Sequence, residues 1–400
     1  MRPELIVAAK EFRDHITSKR FIVIFAVLML ICIYAMVNGM GNYQKMLDDY
    51  KKSAAENPQQ PWYQEQVAMY QKQIQDAESR GASQEEIDSL RFQLEQMTNP
   101  PMPSMLFVFS DLNQYFALIG MVLAISMGFD LISKEKEEGS LKSLLSHPVY
   151  RDSVINGKTL GAFGVLALVL ASTFLITMAI VMFYGVIPKL DDIAAISAYF
   201  VLALLYCLVF FAIAMMMSTI AKSSSMSVMY VLGLVIFMVV LSMFSYNLTQ
   251  LIMGPPPEYN GGIYEPMPIA MENANVSGNS SDAKRVAGSA VSSGLPVDIM
   301  PVNPVDNSAW EQYYQRQGMI IQAIDSISPM TNFQNHIGPA MFNQGIMLYK
   351  SSVWSGRPYG GTTGLLDSLV SVWVNILVMI VETIIAFAVA YIKFLRVDVR

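Results

Sequence analysis

Cysteine is almost absent from this 400-residue chain: Cys32 and Cys207 are the only two, and both fall inside apolar runs. The polar stretches therefore have no disulfide framework, and no C-x-x-C pair is available for zinc. Histidine is nearly as scarce. His15, His147 and His336 lie far apart, with no H-x-x-x-H spacing, so no metal site is expected. His336 is the sole histidine of the two long inserts between apolar runs, and no G-x-S-x-G accompanies it, which argues against an ordinary His-based hydrolase. Charge is scarce too. Only 14% of residues are Asp, Glu, Lys or Arg, and the net charge is −6. Catalytic residues are not assigned, and no nucleic-acid partner is expected.

What is abundant is hydrocarbon. Hydrophobic residues make up 53% of the chain, with a mean hydropathy of +0.39. They are gathered into runs long enough to cross a bilayer, which takes about 20 residues of helix. Six spans are predicted, at 21–40, 105–133, 160–187, 193–220, 226–252 and 368–394. The fold class is thus an all-α polytopic membrane protein of six transmembrane helices with two polar inserts. The first run reads as a retained anchor, because "VNGMGNYQ" after it is a poor cleavage context.

Basic residues orient the spans, since Lys and Arg close to a span resist translocation. Arg2, Lys10, Arg13, Lys19 and Arg20 precede the first span. Lys134, Lys136, Lys142, Arg151 and Lys158 fill the 134–159 loop, Lys222 marks the turn after span four, and Lys393, Arg396 and Arg400 close the chain. Both ends and the 134–159 loop are therefore expected in the cytoplasm, and the inserts 41–104 and 253–367 outside a cell membrane. The first insert reads as helical. Pro58 and Pro61 interrupt it, Gly81 turns it, and Ser83 with Glu86 has the spacing of a capping box. The second opens with "GPPPEYNGG", contains sequons at Asn275 and Asn279, and is expected to be mixed or irregular until a helix near Ser308.

The densest charge lies in "KEKEEGSLKSLLSHPVYRDSVINGKTLGA", from Lys134 to Ala162. Its "GKT" resembles the tail of a phosphate-binding loop. The position that requires the first glycine is Asp152, however, and a carboxylate there repels phosphate. Leu141, Leu144 and Leu145 fall at i, i+3 and i+4, an apolar stripe on a short helix that Pro148 should end. Two readings of that helix stand: it lies on lipid, or it docks in the cleft of a cytoplasmic partner.

The same stretch resembles the hallmark of ABC-2 type transporter permeases. The match runs through Glu135, Glu137, Gly139, Ser140, Leu141, Leu144, Leu145, Ser146, Pro148, Val149, Arg151, Ile155, Gly157 and Lys158. The segment Pro3–Ser18 resembles that family's connecting helix, "STIAKSSSMSVM" its inner turn, and "ISPMTNF" the segment before its last span. The resemblance implies the membrane subunit of an ATP-driven exporter, dimeric with itself or a relative. A separate ABC-type ATPase would carry ATP and magnesium, so this chain needs no cofactor. It also implies a coupling helix at 137–147, with Leu141, Leu144 and Leu145 buried in the ATPase and Glu137, Glu138, Lys142 and Arg151 as a polar rim. Gly139 and Pro148 bound that helix. Three buried leucines contribute a few kcal/mol at about 25 cal/mol per Å².

One ionisable residue sits mid-span. Glu382, in "VMIVETIIAF", costs roughly 2.5 kcal/mol or more to place there, so it should face protein or water. It reads either as part of a transport path, with Asn375 about two turns away, or as a protonated structural hydrogen-bonder. Two rival functions remain open at the level of sequence. One is a secondary transporter, although no internal repeat is evident. The other is a receptor or scaffold whose outer loops bind a ligand or protein.

Overall fold

The computed structural model describes residues 3–100, 102–139, 151–257, 308–342 and 364–396. The sequons at Asn275 and Asn279 lie outside the described residues, as do Leu141, Lys142, Leu144, Leu145 and Pro148. Among the described residues every regular element is helical, and six helices are long and apolar enough to cross a membrane.

Helix α1 (Pro3–Ile16) is followed by α2 (Lys19–Glu56), whose first turn is capped where the Ser18 hydroxyl accepts from the Phe21 amide. Predicted as a span ending at 40, α2 continues to Glu56, 38 residues in all, because no proline before Pro58 breaks it. A hairpin follows, made of α3 (Pro61–Ser79) and α4 (Gln84–Thr98). Gly81, at φ +69°, supplies the left-handed turn between them. The capping box forms only on one side: Ser83 Oγ accepts from the Glu86 amide, while the Glu86 carboxylate pairs with Arg80. Tyr63 donates to the Met97 carbonyl and so closes the hairpin.

A 3₁₀ turn (Met105–Val108) leads into α5 (Phe109–Gly128), and the short α6 (Ser133–Glu137) follows. The next span, α7 (Arg151–Phe183), begins nine residues before the apolar run at 160. Its first turns are the polar "RDSVINGK" predicted as loop. α8 (Leu190–Ile220) is apolar on all sides and is the central helix of the bundle, packing on α5, α7 and the final span. α9 (Ser224–Met243) and α10 (Ser245–Met253) divide the predicted fifth span at Phe244. Ser242 donates back to the Met238 carbonyl at 3.2 Å just before that break, a bond that bends helices.

Helix α11 (Ser308–Asp325) begins where a helix is expected, near Ser308. α12 (Pro329–Asn332), a π turn (Phe333–Ile337) and α13 (Gly338–Phe342) then form one broken segment inserted against α5 and α8. α14 (Leu365–Ser371) and α15 (Trp373–Leu395) are the last described helices, parting at Val372 within the predicted sixth span. The outer faces of α9 and α15 stay apolar. Met229, Ile236 and Phe237 on one, with Leu377, Ile384 and Ile385 on the other, are exposed, as suits lipid contact.

The chain divides into two compact units, 1–248 with 320–400, and 249–319. The second holds most of α10 and α11, and in it Tyr313 donates to the Gly254 carbonyl at 2.6 Å.

Candidate functional site

At one end of the bundle, α1, α6, the start of α7, the α8–α9 turn and the end of α15 converge around the attachment points of segment 140–150. Both attachment points are fixed. On the incoming side, Ser218 Oγ of α8 accepts from the amides of Ile132 (3.0 Å) and Ser133 (2.9 Å), satisfying donors that a helix start leaves unpaired. Lys136 Nζ donates to the carbonyls of Thr219 (2.5 Å) and Ala221 (3.4 Å), which closes the end of α8. Glu137 Oε2 accepts from the Ser224 amide at 3.1 Å, at the start of α9. A five-residue helix is thus joined to two spans at once.

Glu138 makes only an exposed i,i+4 pair with Lys134, at 3.9 Å. Gly139, at φ +71°, ends α6 in a conformation that side chains disfavour. On the outgoing side, Arg151 donates to the Leu395 carbonyl at 3.1 Å and joins α7 to α15. Of the nine residues predicted to couple, then, Glu137, Glu138, Gly139 and Arg151 lie on these two attachment points. Leu141, Lys142, Leu144, Leu145 and Pro148 lie outside the described residues.

The lysine of the apparent "GKT" has a different role. Lys158 is 2% exposed, and its Nζ lies 2.7 Å from Glu11 Oε1 and 2.8 Å from Glu135 Oε1. One ammonium therefore joins α1, α6 and α7. Burying charge is costly unless it is paired at close range, and here both neighbours are within hydrogen-bond distance. The surrounding glycines let α1 approach. A Cβ at Gly157 would fall 2.6 Å from Val7 Cβ, and one at Gly161 would fall 2.8 Å from the Ala8 carbonyl oxygen. Gly164 faces the Phe12 ring in the same way. Small residues at 157, 161 and 164 make a helix-contact stripe, and "GKTLGAFG" carries it openly in the sequence. Sequence reasoning named Gly157 and Lys158 but missed their task, because Glu11 lies 147 residues from Lys158.

His15 follows Glu11 by one turn on α1 and is largely buried. Burial holds its imidazole below the ordinary value, against the pull of Glu11 and Asp130. Asp130 is itself paired with Arg20 at 2.6 Å, whose guanidinium also lies 5.3 Å from the Phe129 ring centre.

The two candidate path residues are placed apart in role. Asn375 is fully buried, and its amide donates to Asn332 Oδ1 (2.7 Å) and Ser326 Oγ (3.1 Å). Its Oδ1 accepts from Gln322 at 2.8 Å, and its main-chain carbonyl from Asn332 at 3.0 Å. It fastens the broken segment to the last span. Glu382 is half-buried on α15, and its Oε2 is enclosed without a hydrogen-bond partner. Deeper contacts of the broken segment are aromatic: Phe333 stacks on Tyr206 with centroids 4.6 Å apart, and Tyr206 donates to the Ala117 carbonyl. No group of three or more metal-ligating side chains occurs among the described residues.

A search of curated proteins finds no match. The family described as ABC-2 family transporter protein matches residues 5–399, nearly the whole chain, including the anchored end and all six apolar helices. This protein belongs to the ABC-2 transporter family.

Proposed function

We propose that this protein is the permease subunit of an ATP-driven exporter, moved by a separate cytoplasmic ABC-type ATPase that seats residues 137–147. Family membership supports a multi-pass transport component that associates with an ABC ATPase and dimerises. The observation that carries the coupling role is the anchoring of the described residues on both sides of 140–150. One attachment is bonded to the α8–α9 turn, the other to α15, and the Lys158 triad ties both to α1. Force delivered at these two attachment points reaches five helices through the bonds just described. Leu141, Leu144 and Leu145 supply the docking face, ATP and magnesium stay with the ATPase, and the chain pairs with a second copy or a related permease. Both termini face the cytoplasm in this reading, and the inserts face outward. Glu382, with its unpartnered oxygen, is the path residue; Asn375 supports the path from behind by holding the broken segment.

The test is co-purification of the tagged full-length chain from its own membranes. An ABC-type ATPase should be recovered with it. Leu144→Asp with Leu145→Asp should lose that ATPase and the transport phenotype while accumulating to normal levels. If no such ATPase is ever recovered and the double variant keeps full function, the coupling reading fails.

A further inference from the structure

His15 stands in the last turn of α1, and only Thr17 and Ser18 separate α1 from the long α2. Its main-chain carbonyl accepts from the Ser18 amide at 3.1 Å, and the Ser18 hydroxyl in turn caps α2. The ring is largely buried, and its Nε2 is enclosed without a hydrogen-bond partner. An orphaned ring nitrogen at the joint of two helices is a cost that the fold carries without any return in packing or bonding.

The charged groups around the ring are Glu11 and Asp14 on α1 itself, Asp130 between α5 and α6, and Lys158 on α7. Two of the three carboxylates are already engaged. Glu11 holds Lys158 at 2.7 Å, and Asp130 holds Arg20 of α2 at 2.6 Å. Glu135 of α6 lies on Lys158 as well, at 2.8 Å. A proton arriving on His15 therefore adds a cation to a cluster in which Glu11 and Asp130 already have partners. α1 cannot take up the strain by moving inward, because it already touches α7 at Gly157 and Gly161, where even a Cβ would collide. The freedom left to it is outward, toward water.

Burial lowers the His15 pKa from its ordinary 6.5, and Lys158 acts in the same sense; Glu11, Asp130 and Asp14 oppose them without prevailing. The enclosed ring thus binds its proton at lower pH than a ring in water does. Just below pH 6.5 the docked form holds fewer protons than a form with the ring in water. The advantage of docking is complete above that pH and is lost as pH falls through the depressed value. A proton is then a ligand with differential affinity for two conformations, which is what a population shift requires.

We propose that His15 is a proton-operated catch: its protonation favours a conformation in which the last turns of α1 lift from α7, releasing the foot of α2. Acid on this face of the protein thereby loosens the joint from which α2 starts. The inference requires neither an ATPase nor a cargo, so it stands or falls apart from the coupling reading.

Hydrogen exchange of the full-length chain in nanodiscs, read by mass spectrometry from pH 7.5 to 5.5 and corrected for intrinsic rates, tests this. Protection of α1 should fall by about fivefold across that range, within the tenfold per pH unit that one proton allows, while α8 keeps its protection. His15→Gln should hold α1 protected throughout. His15→Lys, with a permanent charge, should leave it unprotected already at pH 7.5. Glu11→Gln removes the carboxylate that most favours the protonated ring, so the midpoint should move to lower pH; this holds the proposal to account even if His15→Gln fails to fold. An acid-side loss of the same size in His15→Gln would overturn the proposal. So would a loss shared equally by α8, which would mark global unfolding, or a Glu11→Gln midpoint that stays in place.

Discussion

A lysine that leaves water at the start of an apolar helix must find its counter-charge in the protein, and Lys158 finds two carboxylates, at 2.7 and 2.8 Å. Removing one member of a buried ionic group leaves the others uncompensated, at a cost of about 3–5 kcal/mol. Lys158→Met should therefore lower the melting temperature of the purified chain sharply. Glu11→Gln should cost much less, because Glu135 stays within reach of the ammonium. Lys158→Met combined with Glu11→Gln and Glu135→Gln should recover most of the loss in the same thermal melts. A triple variant no more stable than Lys158→Met would show that the cluster acts by shape rather than charge. The family-like pattern around Lys158 was legible in the sequence, but its partner on α1 was not. Nothing local distinguishes a solvated Glu11 in "VAAKEF" from one buried 147 positions away against a lysine.

At the scale of elements, the broken segment between α11 and α15 is held by side chains that a hydropathy profile ignores. Ser328 caps α12 by accepting from the Thr331 amide at 3.4 Å, and Asn332 and Asn375 clasp each other. The π turn that follows carries His336, 3.9 Å from Asp325 at the end of α11. Burial lowers the His336 pKa from its ordinary 6.5, and outweighs the Asp325 carboxylate that pulls the other way. The native state therefore binds fewer protons than the unfolded state just below pH 6.5. The His336 contribution is fully present above that pH and is lost as pH falls through the depressed value. Burial raises the Asp325 pKa, against the Ser245 hydrogen bond and His336, so its contribution has the opposite sign and fades as pH rises. Comparing wild type with His336→Gln isolates the histidine. The acid-side loss of melting temperature should flatten in the variant, and an unchanged profile between pH 5 and 7 would refute this. The segment's polar motif "ISPMTNF" could be read from sequence; its π geometry could not, because it depends on Phe333 fitting between Tyr199 and Tyr206.

For the whole molecule, apolar length identified the six crossing helices, because a bilayer imposes a minimum run that few other structures need. Apolar length could not show where helices outlast the hydrocarbon. α2 and α7 extend through polar sequence because no proline stops them, and Asp, Lys and Gln are compatible with helix in water. Sidedness can be tested cleanly, since both native cysteines are buried. Single cysteines at Lys72 in the hairpin and at Lys222 in the α8–α9 turn should react oppositely with an impermeant maleimide on intact cells. Lys72→Cys is expected to be labelled, and Lys222→Cys only after the membrane is opened. The reverse pattern would invert the proposed topology.

The 38 residues of α2 make a rod about 57 Å long, nearly twice the roughly 30 Å of hydrocarbon it crosses. Such a rod converts rotation into travel. A tilt of about 10° at its foot, beside α1, would sweep its far tip through roughly 10 Å, carrying the start of the hairpin with it. The 61–98 hairpin is thus mounted, through the short Asn57–Gln59 turn, where a small movement at the opposite membrane face becomes a large excursion.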